Sequence, residues 1–181
     1  MKSTPVYILR LALTLLVITS VVAAALAGVD AVTAPKIAAI TAQKTQDAIA
    51  AVLPGGGEQL DSFTDETGLV QAVYASDTGY AIEVTPAGFD GQITMMVGIS
   101  REGKVLGIDI ISHTETAGLG AVAAAKTSAG ERFREQFAGA DSALAVSKDG
   151  GTIDAITSAT ITSRAVTAGV NAALACAAKL G

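Results

Sequence analysis

Ile93-Thr94-Met95-Met96-Val97-Gly98-Ile99-Ser100 and Val105-Leu106-Gly107-Ile108-Asp109-Ile110-Ile111-Ser112-His113 are two β-rich runs separated by four residues that contain the turn signal Glu102-Gly103. Upstream, residues 69–76 and 80–84 have the same character, and Asp77-Thr78-Gly79 and Asp90-Gly91 supply the intervening turns. Four consecutive strands joined by short turns predict an antiparallel meander, because parallel neighbours need a long crossover. Downstream the period lengthens. Residues 121–138 read as two short helical pieces broken near Ala129-Gly130, a brief strand follows around 144–146, and Lys148-Asp149-Gly150-Gly151 reads as a turn. Residues 162–180 read as the last helix, with Val166, Val170, Ala173, Leu174 and Ala177 at helical spacing, so this face is expected to pack on the sheet. The expected fold class is therefore α+β, an antiparallel sheet with packed helices.

The amino-terminal third is different. Residues 11–29 carry no charge and follow Lys2 and Arg10, with Asp30 immediately after. At about 1.5 Å per residue this stretch spans roughly 28 Å, the thickness of a bilayer's hydrocarbon layer. One transmembrane helix is expected, with the amino terminus cytoplasmic and the domain on the extracytoplasmic side of the cell membrane. A cleaved secretory signal is the competing reading, since Ala23-Ala24-Ala25-Leu26-Ala27-Gly28 has small residues spaced like a cleavage site. Thr33 and Pro35 look like a helix start. Residues 36–53 then carry an apolar face that either begins there or continues the membrane segment as a stalk, and Pro54-Gly55-Gly56-Gly57 ends it. Residues 60–67 read as a solvated connection. The expected division is 1–30 for the cytoplasmic terminus and anchor, 31–57 for the stalk and glycine-rich turn, and 58–181 for a single domain.

A chain of 181 residues with this anchor leaves about 150 for one domain, enough for a hydrophobic core. The net charge is −5 and no basic stripe with interleaved aromatics appears, which argues against nucleic acid as a partner. Cys176 is the only cysteine, so no intrachain disulfide forms, and its place on an apolar helical face reads as core. One His, one Cys and scattered carboxylates give no metal-ligand spacing. Neither a nucleophile elbow nor a P-loop is present, no side chain is assigned a catalytic role, and His113, the only histidine, reads as structural. Met95 and Met96 read as core, at least the one that faces inward.

Asp154-Ala155-Ile156-Thr157-Ser158-Ala159-Thr160-Ile161-Thr162-Ser163 places small and hydroxylated residues directly before the last helix. Backbone N–H groups at a helix start lack intrahelical partners, and with the helix dipole they favour a phosphate. The plain alternative is an ordinary Thr/Ser cap. Two further segments bear on this choice. His113-Thr114-Glu115-Thr116-Ala117-Gly118-Leu119-Gly120 is a glycine loop after a strand, and Gly88-Phe89-Asp90-Gly91-Gln92-Ile93 is a strand entry.

In their order these three segments resemble the signatures of the FMN-binding domain family. The likeness extends over nearly the whole chain to the G subunit of Rnf-type ion-translocating electron transport complexes, a relative of the C subunit of the sodium-pumping NADH:quinone reductase. That resemblance implies FMN joined to Thr160 by a phosphoester, with Asp154, Thr157, Ser158 and Ala159 as the surrounding motif. It implies flavin contacts from Glu115, Thr116, Gly118, Leu119 and Gly120. Ser158 departs from the family's Gly, a residue suited to positive φ or a close ligand. Asp154 is expected to orient the motif, to bind the metal of a flavin transferase that loads the cofactor, or simply to cap a turn. The implied function is that of a membrane-anchored flavoprotein subunit acting within a translocase, with the other subunits as partners and no autonomous turnover. A free-standing exported FMN-dependent reductase and a non-redox exported binding module are the alternatives.

Overall fold

The computed structural model describes residues 4–180, with Lys2 of the amino-terminal flank outside that range. Helix α1 runs from Thr4–Val52 without interruption, and Pro35 lies inside it. The helix start expected at Thr33 is therefore not there. The Thr33 hydroxyl donates backwards to Val29 O at 2.9 Å, as a mid-helix threonine does, and caps nothing. Pro35 removes one hydrogen bond, but the alanines around it have the highest helix propensity and carry the helix through. Among the described residues this is the one helix long and apolar enough to cross a membrane. Its 49 residues would span about 74 Å at 1.5 Å each, more than twice a bilayer's hydrocarbon thickness.

The chain forms two compact units, one up to Gln43 and one from Lys44 onward. The second is built on a five-stranded sheet of β1 (Glu58–Gln59), β2 (Val70–Ala75), β3 (Gly79–Val84), β4 (Thr94–Ser100) and β5 (Val105–Ser112). Strand order follows sequence order and every pairing is antiparallel, so the sheet is the expected meander with one extra edge strand. The two-residue β1, both of whose residues are exposed, offers no periodicity by which to be recognised. Beyond the sheet come a 3-10 turn at Gly120–Ala124, α2 (Ser128–Glu135), a second 3-10 turn at Ser147–Asp149 and α3 (Thr160–Ala177).

Three local expectations shift. The break in residues 121–138 falls between Ala124 and Ser128, and Gly130 lies within α2, because a Cβ there would strike the carbonyls of Ala125 and Val122. The strand around 144–146 reduces to one parallel bridge, Val146 with Ile153. The last helix starts at Thr160, two residues before the start that its spacing indicates.

Both faces of the sheet are covered. On one, Val73, Ile82, Val84, Met95, Val97 and Ile99 pack with Val166, Val170, Ala173 and Cys176 of α3 and with Phe133 and Phe137. On the other, Ala48, Ile49, Val52 and Leu53 at the end of α1 meet Ala81, Met96 and Ile111. Met95 and Met96 point to opposite faces and each is fully buried, so both are core. Cys176 is buried in the first cluster, and burial raises its thiol pKa. It is a small core side chain, as its helical spacing indicates.

Candidate functional site

The three motif segments, far apart in sequence, meet around one carboxylate. Glu115 follows β5, is only 7% exposed, and its Oε1 accepts from the N–H groups of Phe89 at 2.8 Å and Asp90 at 3.1 Å. Its Oε2 accepts from the Thr162 hydroxyl in the first turn of α3. Side-chain atoms on Gly88 or Gly120 would collide with this carboxylate, which explains why both positions carry none. Burial alone would raise the Glu115 pKa, but hydrogen bonds from Thr162, Asp90 and Phe89 favour the anion and hold it below its ordinary value. Glu115 thus acts as a brace among the β3–β4 loop, the glycine loop and α3, with its hydrogen bonds taken up by the chain itself.

The turn before α3 is held as closely. Ser163 is fully buried; its Oγ donates to Ala159 O at 2.9 Å and accepts from Ile156 N at 2.9 Å. Gln136 clamps the backbone of Asp154, accepting from its N–H at 2.7 Å and donating to its carbonyl at 3.2 Å. Between these anchors Ser158 adopts φ of 62°, the left-handed region that glycine occupies without cost. Ala159 is the cap residue of α3, with no side-chain capping bond, and the first turn carries no acidic residue. The N–H groups of Thr160, Ile161 and Thr162 have no hydrogen-bond partner among the described residues, the first bonded one being Ser163 N to Ala159 O. The Thr160 hydroxyl accepts from Lys148 Nζ at 3.1 Å.

This turn separates two clefts. The smaller, of about 330 Å³, gathers Glu115, Thr116, Leu119, Gly120, Ser158, Ala159 and Thr160. The larger, of about 700 Å³, takes Gly118, Asp154 and Thr157 together with residues of α2. The residues singled out from sequence are therefore divided seven to three, and the cleft with the Thr160 hydroxyl is the smaller one. Phe89, Leu119 and Ile161 also line that cleft, and each is a large apolar side chain exposed to solvent. Asp154 is exposed and its carboxylate makes no hydrogen bond among the described residues, so the turn is shaped by its backbone rather than its side chain. Among the described residues no group of His, Cys, Asp or Glu is gathered to hold a metal ion. His113 follows β5, and its Nδ1 is buried without a hydrogen-bond partner among the described residues. Lys148, Gln136, Thr162 and Ser163 join the site without having been expected there. The signal for the last two is present in the hydroxylated first turn, whereas Lys148 and Gln136 reach the site only through tertiary structure.

Residues 88–175 match the model of the FMN-binding domain, a span that takes in all three motif segments. Over 91% of its length the chain is 34% identical to the G subunit of the Na(+)-translocating ferredoxin:NAD(+) oxidoreductase complex of Acetobacterium woodii, covering 88% of that protein. It is 30% identical to the G subunit of the ion-translocating oxidoreductase complex of Methanosarcina acetivorans, over 92% of this chain and 93% of the relative. The same-named protein of Pseudomonas aeruginosa is 41% identical over 92 residues, 49% of this chain and 43% of the relative. Near full-length identity of this order, a matching domain model and the convergence of the three segments on the Glu115 carboxylate place the chain in the family of G subunits of ion-translocating oxidoreductase complexes, with an FMN-binding domain.

Proposed function

We propose that this chain is the membrane-anchored flavoprotein subunit of an Rnf-type ion-translocating electron transport complex, carrying electrons on FMN esterified through its phosphate to Thr160. The observation that carries the reading is the chemistry of the smaller cleft. One end offers a hydroxyl at a helix N-terminus with three unpartnered N–H groups and a lysine, a setting for phosphate. Its walls offer Phe89, Leu119 and Ile161, exposed apolar side chains suited to a flat heteroaromatic ring. The residues present fit FMN.

When bound, FMN supplies one- and two-electron chemistry, while the protein supplies attachment, orientation and tuning. Thr160 provides the oxygen of the ester. Leu119, Phe89 and Ile161 would supply the apolar wall that shields a bound ring from water. Glu115, Gly120 and Thr116 shape the cleft, and Ser158 and Ala159 let the ligand approach the backbone. Gly118, Asp154 and Thr157, on the other side of the turn, present the motif to a flavin transferase. With one cysteine and no dinucleotide fold, the chain neither holds an iron–sulfur cluster nor binds a nicotinamide dinucleotide by itself, so other subunits of the complex supply and receive its electrons. Residues 1–30 anchor the chain with its amino terminus in the cytoplasm, 31–57 connect the anchor to the domain and pack on its sheet through Ala48, Ile49, Val52 and Leu53, and 58–181 hold the flavin outside.

In-gel fluorescence after denaturation tests this reading. The chain from its own cell should fluoresce as a covalent flavoprotein, and Thr160→Ala made beside the transferase should be dark. A dark native band refutes the covalent flavin, and a fluorescent Thr160→Ala refutes the residue.

A further inference from the structure

Lys148 stands in an unusual place. Its ammonium donates to Thr160 Oγ1 across 12 residues of sequence, at 3.1 Å. The turn that carries it, Ser147–Asp149, is closed by Gly150 in the left-handed region at φ 85° and follows the bridge between Val146 and Ile153. Asp149 accepts from Arg164 Nε at 2.7 Å and Nη2 at 2.5 Å, which ties this turn to the second turn of α3. The Arg164 charge is thereby matched. Among the described residues no carboxylate lies within ion-pair distance of Lys148.

Helix electrostatics make this arrangement costly for the chain alone. A helix N-terminus carries partial positive charge and favours anions, yet α3 opens with no acidic residue, no side-chain cap and a lysine against its first residue. Positive end, unpartnered N–H groups and unmatched ammonium all lie at the helix start that carries this hydroxyl. One phosphoryl group at Thr160 would satisfy all three.

We propose that Lys148 is the positioning cation of the phosphoester, an inference that rests on the flavin reading of Thr160. Before transfer it orients the Thr160 hydroxyl; after transfer it pairs with the non-bridging phosphoryl oxygens. In the transfer the Thr160 oxygen gains a bond to the flavin-bearing phosphorus of a flavin dinucleotide. The pyrophosphate P–O bond breaks, the nucleoside monophosphate leaves with that electron pair, and the hydroxyl proton passes to solvent. Nothing is oxidised or reduced. A cation beside the oxygen and the phosphoryl group stabilises the charge that develops during this exchange.

Full-length wild type, Lys148→Met, Lys148→Arg and Thr160→Ala, each in detergent with a flavin transferase and flavin adenine dinucleotide, are followed by intact mass over time. Lys148→Met should be modified at least roughly tenfold more slowly than wild type, less than the about hundredfold or more of a placed donor in a water-excluded site because Lys148 is exposed. Lys148→Arg should recover most of that rate. Neither should melt below wild type, because Lys148 is exposed and makes no ion pair among the described residues. Thr160→Ala should remain unmodified. If Lys148→Met keeps the wild-type rate, or Arg fails to restore it, the role of Lys148 is overturned while the Thr160 assignment stands. If wild type itself is never modified, both fall together.

Discussion

Among single residues, Glu115 shows how a side chain can sit in a ligand cleft and still serve the fold. Its folded pKa lies below the ordinary value of 4.5, so its hydrogen bonds contribute fully above that value and lose their contribution as pH falls through the lowered one. Glu115→Gln should therefore cost about 1.5–3 kcal/mol at neutral pH, the range for hydrogen bonds to a charged group. Thermal melts of both proteins should converge as the pH drops below 4.5. Ser158 makes the opposite prediction. Held at φ 62°, it bears strain that glycine does not, and Ser158→Gly should raise stability by about 0.5–1 kcal/mol in denaturant unfolding. Ser158→Val should lower it.

The motif residues are readable in sequence because they cluster at a helix start and in a glycine loop after a strand. Their braces are not. Thr162 reaches Glu115 across 47 residues and Gln136 reaches Asp154 across 18, separations along which no local pattern runs. The positive φ of Ser158 is foreshadowed by the family's glycine, whereas the outward Phe89 side chain joins Leu119 and Ile161 only once the loops are folded.

Among the elements, the four long strands announce themselves because side chains alternate and turns intervene, and β1 escapes because two residues cannot show a period. Glycine and proline mislead in two places where tertiary packing or helix propensity prevails. Gly130 has the local character of a break, yet it keeps α2 close to the carbonyls of Ala125 and Val122, and Pro35 has that of a helix start within an uninterrupted helix. Gly98 in β4 is a similar case of close approach. A side chain there would meet the Val52 carbonyl at the end of α1, backbone that cannot swing aside. Gly98→Ala should destabilise by about 1–3 kcal/mol, the usual cost of overpacking. Its cross-strand partner Gly107 has open space around it, so Gly107→Ala should stay within about 0.5 kcal/mol of wild type, as substitutions away from the core do. Equal losses for both would show that the end of α1 does not seat on β4.

Across the whole molecule, the apolar amino-terminal helix and the flavin domain belong to one chain, and the proposed orientation sets the domain outside the cytoplasm. The native thiol, Cys176, is buried, so wild-type cells should give little signal with a membrane-impermeant maleimide. Asp61→Cys, at an exposed position before β2, should label in intact cells. Labelling only after lysis would reverse the orientation.

The flavin assignment stands or falls on the mass of the tryptic peptide covering residues 149–164, taken from the protein isolated from its own membrane. This peptide should carry one FMN ester, localised by fragmentation to Thr160. An unmodified peptide, or FMN on any other residue, would refute the assignment.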